Sequence, residues 1–388
     1  MAREAVIVGV GDVPLEDGKV VGCGSVLQVQ ARAAKAALDD AGIPMSEVDG
    51  LLCAGLWGVP GPGQLPTVTL GEYLGIHPRF VDATNIGGSA FEAHVAHAAM
   101  AIERGYCDVA LVVYGSTQRS ERSRSLGGRP ATLTMQFENI WGIPQPVGGY
   151  ALAARRHMHE HGTTEEQLAE IAVATRKWAQ LNPQATRKED MTIDDVMASM
   201  PIADPLKLFD CCLVTDGAGA VVVTTAENAK AVGRKPAYVR GFGEAHTHWS
   251  IGAMPDLARL TAAEMSGRTA FEMAGVSHDA IDLVECYDSF TITVLLTLEA
   301  LGFAERGAGG EFVSNQRTAP GGDFPLNTNG GGLSYCHPGM YGIFLLIEAV
   351  RQMRGEAGER QVEGVETALV HGTGGTLSSG ATVILANS

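Results

Sequence analysis

The segment best suited to chemistry is NTNGGGLSYCHPGMYG, residues 327–342, which directly precedes the apolar run IFLLIEAV. It places three reactive side chains next to one another: Tyr335, Cys336 and His337. The glycines before them permit close backbone approach, and a helix start offers unpaired N–H groups that suit a negative charge. The pattern predicts an active-site loop in which His337 transfers a proton or binds an oxyanion.

Three other segments end a predicted strand with polar residues and a glycine turn or helix: TNIGGSAF, ECYDSF and VHGTGG. Ligands of open α/β sheets bind beyond the carboxyl ends of the strands, so we expect these segments to face one space. Tyr287 and His371 are the predicted proton-transfer groups. Gly87, Ser89 and Gly374 are predicted to lie where backbone N–H groups bind an oxyanion.

The alternatives to these roles are structural. Tyr287 would then be a packed tyrosine whose hydroxyl is satisfied, and the Ser89 hydroxyl would cap a helix. For Tyr335 and Cys336 the sequence does not decide which side chain points inward, so both remain candidates.

Other features argue against metal, nucleic acid and membranes. HMHEH (residues 157–161) turns its first two histidines to different faces of a helix, so no metal site is predicted. The net charge is −16, and the Arg-rich segment, residues 118–129, is predicted to be a solvated or subunit-covering loop. The alternative is a loop that binds a phosphate of a cofactor tail. No run of eighteen apolar residues is present, which argues against membrane insertion.

The seven cysteines, an odd number, match neither a disulfide framework nor a zinc motif. They predict free thiols in a reducing compartment, and the expected location is the cytoplasm.

Strands alternate with amphipathic helices over most of the 388 residues, which indicates an α/β fold with a parallel sheet. Long polar helices interrupt this pattern at about residues 117–215 and predict a helical insertion. Three segments then recur in the same order: residues 41–55 match 274–288, the helix ending at Gly105 matches the helix ending at Gly355, and residues 108–117 match 367–374. We infer a duplication, with halves at residues 1–225 and 226–388.

This organisation, together with the GG…S…HP loop, resembles the thiolase superfamily, and within it the sterol-carrier-protein-type, lipid-transfer-like thiolases. The resemblance extends over nearly the whole chain, including the segments IADPLKLFDCCLVTDGAGAVVV and NTNGGGLSYCHPG. It implies a five-layer αβαβα thiolase fold with a helical loop domain.

The family's four catalytic loops can be placed on this chain. By resemblance, the acyl-accepting cysteine lies two residues before Ser89, where this chain has Gly87. The Asn or His of the second loop becomes Tyr287, the histidine of the third loop is kept as His337, and the cysteine of the fourth loop becomes His371. The nucleophile needed for a covalent acyl-enzyme is therefore missing at its usual position.

These substitutions predict an enzyme that makes or breaks a carbon–carbon bond in an acyl-coenzyme A thioester by aldol-type chemistry, with no permanently bound cofactor. One alternative is an acetyl-CoA acetyltransferase-type enzyme whose nucleophile has moved, for example to Cys336 or Cys286. Another is a non-catalytic subunit that binds coenzyme A or lipid. The resemblance also implies a homodimer paired through residues 80–85 and a small zinc-ribbon/OB-fold partner protein.

Overall fold

The structure is a computed structural model that describes residues 3–22, 24–55, 63, 65–122 and 136–388. Cys23 and residues 123–129 of the Arg-rich segment lie outside the described residues. The strands are β1 (Ala5–Asp12), β2 (Leu15–Glu16), β3 (Lys19–Val20), β4 (Gly50–Leu52), β5 (Phe80–Asp82), β6 (Val109–Ser116), β7 (Pro201–Ala203), β8 (Leu206–Lys207), β9 (Gly217–Thr225), β10 (Ala237–His246), β11 (Leu283–Cys286), β12 (Thr367–Gly374) and β13 (Ser379–Ala386).

The helices are α1 (Val26–Ala41), α2 (Pro66–Leu74), α3 (Ala90–Glu103), α4 (Gln136–Asn139), α5 (Val147–His161), α6 (Glu165–Gln180), α7 (Ile193–Ala198), α8 (Ala226–Val232), α9 (Thr261–Ala274), α10 (Thr291–Ala300), α11 (Gly309–Val313) and α12 (Gly342–Arg354). Their ends follow local sequence signals. At the start of α1, Ser25 and Gln28 form a reciprocal capping box, and Gly42 ends the helix in the left-handed conformation. The predicted insertion corresponds to α4–α7 with β7 and β8, between β6 and β9.

Nine strands form one sheet in the order β11-β12-β13-β10-β1-β9-β6-β4-β5. Read outward from the central β10–β1 contact, β10-β13-β12-β11 repeats the order β1-β9-β6-β4. The three segments matched in the sequence therefore occupy corresponding positions, at β4 and β11, α3 and α12, and β6 and β12.

The expectation of a parallel sheet is only partly right. β4 pairs in parallel with β5 and β6, and β11 pairs in parallel with β12. The pairings of β1, β6, β9, β10, β12 and β13 with one another are antiparallel. For β12 and β13 the reason is connection length, because β13 follows β12 after a turn of four residues, which can join only antiparallel neighbours.

The two halves of the sheet are stacked as layers around helices α3 and α12. One apolar cluster packs α1 against the outer face of the first half, and another packs α9 and α10 against the outer face of the second half. The third cluster lies between them and contains α3, α12 and the inner faces of β6, β9, β12 and β13. This is the expected five-layer arrangement, and it brings the starts of α3 and α12 close to the ends of β11 and β12.

Candidate active site

The loop that contains His337 is held in place by backbone hydrogen bonds. It begins with Gly330 and Gly331 at φ of 95° and 59°, which allow the π-helical turn Gly331–Tyr335 to form. Asp288, at the end of β11, accepts hydrogen bonds from the amides of Gly332 (2.6 Å) and Leu333 (3.1 Å). Burial raises the pKa of Asp288 to about 7, although these two hydrogen bonds oppose the rise.

The two ends of the insertion fix the backbone of His337 itself. Its N–H donates to Thr215 Oγ1 (2.9 Å), and its carbonyl accepts from the Thr215 amide (3.2 Å) and from Gln118 Nε2 (2.7 Å). Sequence reasoning missed both partners. Gln118 was assigned to a solvated loop, yet it is buried, and nothing in its own sequence neighbourhood indicates a contact with a residue 219 positions away.

Tyr287 and His337 form the central polar pair of the site. The Tyr287 hydroxyl lies 2.8 Å from His337 Nε2, and the two rings meet edge to face with centroids 5.6 Å apart. Both residues are buried, at 4% and 2% exposure. The Tyr287 amide donates to the His371 carbonyl (2.9 Å), which fixes the tyrosine at the end of β11. A phenol hydrogen-bonded to an imidazole can pass a proton in either direction.

The turn at the start of α3 borders this pair through backbone alone. Gly87 has φ of 75°, and a Cβ there would lie 2.6 Å from the Gly375 amide nitrogen and 2.9 Å from Gly374 Cα. A Cβ on Gly88 would overlap the Tyr287 ring, at 2.7 Å from Cζ. The space that a nucleophile's side chain would need is therefore taken up by the glycine turn after β12.

The Ser89 hydroxyl does not cap α3. It lies 2.9 Å from Ser379 Oγ and donates to the Ile86 carbonyl at 3.0 Å. The Gly87 amide donates to Asn85 Oδ1 at 3.3 Å. The amides of Gly88 and Ser89 lie in the 3-10 turn Gly87–Ser89, which leads directly into α3. N–H groups at a helix start have no intrahelical acceptor.

Tyr335 points away from the Tyr287–His337 pair. Its hydroxyl donates to Asp12 Oδ2 (2.8 Å), and Asp12 is in turn paired with Arg351 (2.7 Å). Burial and the neighbouring Asp12 charge raise the pKa of Tyr335 well above its usual value. The predicted reserve role of Tyr335 in proton transfer is not supported by this position.

The two cysteines proposed as relocated nucleophiles are fully buried. Burial first, and then the Asp12 charge, raises the pKa of Cys336 well above its usual value. Burial and the Asp288 charge do the same for Cys286, whose side chain packs in the cluster with α9 and α10. Since the thiolate is the reactive form, neither thiol is activated.

The structure separates His371 from the other predicted site residues. Its Nδ1 lies 2.8 Å from Thr382 Oγ1, and a Cβ on Gly380 would lie 3.0 Å from its Cε1 and 3.1 Å from the Ala263 amide. These neighbours are on the α9 face of the sheet, whereas Tyr287 and His337 lie on the α3–α12 face. Burial lowers the pKa of His371 to about 3, so the ring is neutral. The role in proton transfer predicted for it is therefore not retained, because successive strand residues face opposite sides of a sheet.

Two further findings concern metals and membranes. Within the described ranges, no group of three or more His, Cys, Asp or Glu side chains is arranged to hold a metal ion. His157 of HMHEH is instead bonded to Thr163 Oγ1 (2.8 Å) and Glu299 (3.1 Å). None of the helices in the described part of the chain has the length and apolar character to span a membrane.

The fold, with its duplicated halves, central helices α3 and α12 and histidine loop, defines the protein as a member of the thiolase superfamily. The family model "Thiolase, N-terminal domain" matches residues 5–227, and "Thiolase C-terminal domain-like" matches residues 243–387. The chain belongs to this family.

Among its relatives, the 17-hydroxy-3-oxo-4-pregnene-20-carboxyl-CoA lyase of Mycobacterium tuberculosis is 33% identical over 98% of this chain and 99% of its own. An acetyl-CoA acetyltransferase of Methanothermobacter thermautotrophicus is 35% identical over 88% of this chain and 89% of its own. The solved structure of an Ltp2-ChsH2(DUF35) aldolase superposes with a TM-score of 0.87 at 30% identity, covering 99% of this chain and 97% of that chain.

Proposed function

We propose that the protein is a carbon–carbon lyase that cleaves a β-hydroxyacyl-coenzyme A thioester by retro-aldol chemistry. The observation that supports this most is the turn at Gly87, where backbone atoms of Gly374 and Gly375 fill the space of a nucleophilic side chain. A Claisen thiolase needs a thiolate at that turn to hold the acyl group, whereas an aldol cleavage needs only proton transfer and a stabilised enolate. The lyase and aldolase names of two similar proteins agree with this proposal.

The Tyr287–His337 pair supplies the proton transfer. The β-hydroxyl proton moves to the Tyr287 oxygen as the phenolic proton moves to His337 Nε2, 2.8 Å away. The bond between the α- and β-carbons then breaks, the β-carbon becomes a carbonyl, and the electron pair enters the thioester enolate. Tyr287 then gives a proton to the α-carbon and takes one back from His337, so both residues return to their starting state. This balanced cycle needs no cofactor other than the coenzyme A of the substrate.

The enolate oxygen is bound by the amides of Gly88 and Ser89. These amides lie in the turn just before α3, where the helix dipole favours negative charge. The Gly87 amide already donates to Asn85, so the predicted donor moves from Gly87 to the next two residues.

Assembly is proposed to follow the exposed edge of the sheet. Strand β5 is the outermost strand on one side, and its central residue Val81 is 53% exposed. Two copies paired through this edge would cover it and would buttress Asn85, which leads into the Gly87 turn. Light scattering at micromolar concentration should find a dimer, and a stable, active monomer would contradict this arrangement.

We also propose a small zinc-ribbon/OB-fold partner, in line with the two-protein name of the similar aldolase structure. Co-expression with such a protein should raise the cleavage rate or yield a stable complex in size-exclusion chromatography. The six described cysteines remain as thiols, in agreement with the proposed cytoplasmic location.

The competing function is acyl transfer, which the 35% identity to an acetyl-CoA acetyltransferase favours. The test is to assay thiolysis of β-ketoacyl-CoA and cleavage of β-hydroxyacyl-CoA with the same enzyme sample. We expect cleavage without thiolysis. Thiolysis without cleavage would establish the acyltransferase, and neither activity, with or without the partner, would point to a non-catalytic subunit.

A further inference from the structure

Glu92 is a fully buried acid that the proposed chemistry does not use. It lies on α3, one turn beyond Gly88, and its exposure is 0%. Within the described residues, neither carboxyl oxygen accepts a hydrogen bond. Buried acids are almost always paired, so this position departs from the general rule.

The carboxyl group lies where three glycine backbones of the site loops converge. A Cβ on Gly342, at the start of α12, would lie 2.5 and 2.6 Å from its two oxygens. A Cβ on Gly372, on the inner face of β12, would lie 2.6 Å from its Cδ. The Gly88 carbonyl oxygen crowds the same Gly342 Cβ position, so the carbonyl and carboxyl oxygens border the same space. A protonated carboxyl group can donate a hydrogen bond to a carbonyl oxygen, whereas a carboxylate would be repelled by that oxygen.

Among the residues that the structure describes, Glu92 has no cationic partner. On α3 and its neighbouring strands, His97 is bonded to Asp82 and Glu244, and His94 to the Thr84 carbonyl. On α12, Glu348 is paired with Arg360. Just before α12, the hydroxyl of Tyr341 donates to Asn329. Tyr287 is bonded to His337. His371 lies on the opposite face of the sheet. Burial alone raises the pKa of Glu92 to about 8, against the effect of its own backbone N–H.

Such an acid lowers the stability of the fold. Because its folded pKa is about 8 and its ordinary value is 4.5, the folded state retains a proton that the unfolded chain releases between those pH values. Stability therefore falls as the pH rises through this window and levels off above about pH 8. A glutamine at this position would avoid the loss of stability. A buried acid that is kept without a partner, at a cost in stability, indicates a functional role.

We propose that Glu92, in its protonated form, is a positioning residue for the oxyanion turn: its O–H donates to the Gly88 carbonyl and fixes the amides that bind the enolate oxygen. The proposal rests on the proposed lyase function. A neutral acid in this place gives a donor without adding negative charge beside the enolate, as other enzymes achieve with buried carboxylic acids. Its ionisation would place a carboxylate beside the developing enolate and disfavour the transition state.

The test compares Glu92→Gln, which keeps a donor and cannot ionise, with Glu92→Leu, which has no donor. Glu103→Gln, at the exposed end of the same helix, is the matched control. We expect the kcat of the wild type and of the control to fall above about pH 8. Glu92→Gln should keep kcat within about threefold at pH 7 without that alkaline fall. Glu92→Leu should lose about tenfold in kcat with little change in KM, equivalent to one hydrogen bond.

An unchanged alkaline fall in Glu92→Gln, or full activity in Glu92→Leu, would overturn the proposal. Infrared spectroscopy gives a readout that does not need turnover. A protonated-carboxyl band in the wild type that titrates near pH 8 and is absent in Glu92→Gln supports the protonated acid, and its absence from the wild type refutes it. Inactivity of the wild-type enzyme on β-hydroxyacyl-CoA would instead count against the proposed function, while the infrared result still decides the state of Glu92.

Discussion

The starts of α3 and α12 occupy corresponding positions in the two halves of the chain, yet they contribute differently to the site. At α12 the preceding loop supplies a side chain, His337, held through its backbone by Thr215 and Gln118. At α3 the turn supplies only backbone, because Gly87 and Gly88 have no room for a Cβ. In the proposed reaction, one half of the site would transfer protons and the other would bind charge.

The difference shows how a duplicated fold can lose one catalytic group and keep a reaction. The space for a side chain at Gly87 is not vacant, since backbone atoms of Gly374 and Gly375 fill it, and the Tyr287 ring fills the space beside Gly88. The two adjacent glycines therefore leave room for different groups: Gly87 for the backbone of Gly374 and Gly375, and Gly88 for the Tyr287 ring.

The largest expected effect is at the α12 side. His337→Ala should lower kcat for β-hydroxyacyl-CoA cleavage by about 10²–10⁴-fold, because the proton acceptor for Tyr287 is lost. Steady-state kinetics would measure it. His371→Asn is the control, and its kcat should stay within a few-fold because that ring faces α9. Equal losses in both variants would contradict the assignment.

Tyr287→Phe should reduce kcat by about 10²-fold or more with little change in KM, since only the phenolic oxygen is removed. Tyr335→Phe should leave kcat nearly unchanged. It should nevertheless lower the free energy of unfolding by about 1–3 kcal/mol, because buried Asp12 loses a donor. Denaturant unfolding together with kinetics separates these two outcomes, and a catalytic defect in Tyr335→Phe would show that it takes part in the chemistry.

Gly88→Ala tests the backbone half of the site. The added Cβ overlaps the Tyr287 ring, so the ring must move away from His337. We expect about a tenfold loss of kcat, with a stability loss of about 1–3 kcal/mol from overpacking. Gly252→Ala, where a Cβ meets nothing within 4 Å, should behave like the wild type. Wild-type activity in Gly88→Ala would mean that the contact with Tyr287 is unimportant.

The smallest effect is expected for Cys336→Ala. A buried thiol with a raised pKa takes no part in the chemistry, so kcat should stay within about twofold. Some stability should be lost, on the order of 1 kcal/mol, through the small cavity. Loss of all activity with normal folding, judged by circular dichroism, would reinstate Cys336 as a nucleophile.

The sequence was sufficient for the fold, whereas the site roles of His337 and Tyr287 stay predictions. Repeated segments and glycine-rich strand ends are local patterns, and His337 and Tyr287 lie in such segments. His371 was assigned to the site, but its side chain lies on the other face of β12. Successive strand residues face opposite sides of a sheet, and a loop motif does not specify which side a given residue faces.

The remaining errors concern contacts between distant residues. Tyr335 turns toward Asp12, 323 positions earlier, and Gln118 reaches the His337 carbonyl across 219 positions. Glu92 was not predicted as a site residue because it lies within an ordinary helical pattern. Only the packing of Gly342 and Gly372 against its carboxyl group shows that it lies beside the site.

The central claim is that bond cleavage proceeds without an acyl-enzyme. Intact-protein mass spectrometry during steady turnover of β-hydroxyacyl-CoA tests it directly, with the release of the shortened acyl-CoA followed in the same sample. The account predicts continuous product formation with the protein mass unchanged. A mass increase equal to the acyl group, mapped to a cysteine and formed at the rate of turnover, would contradict it.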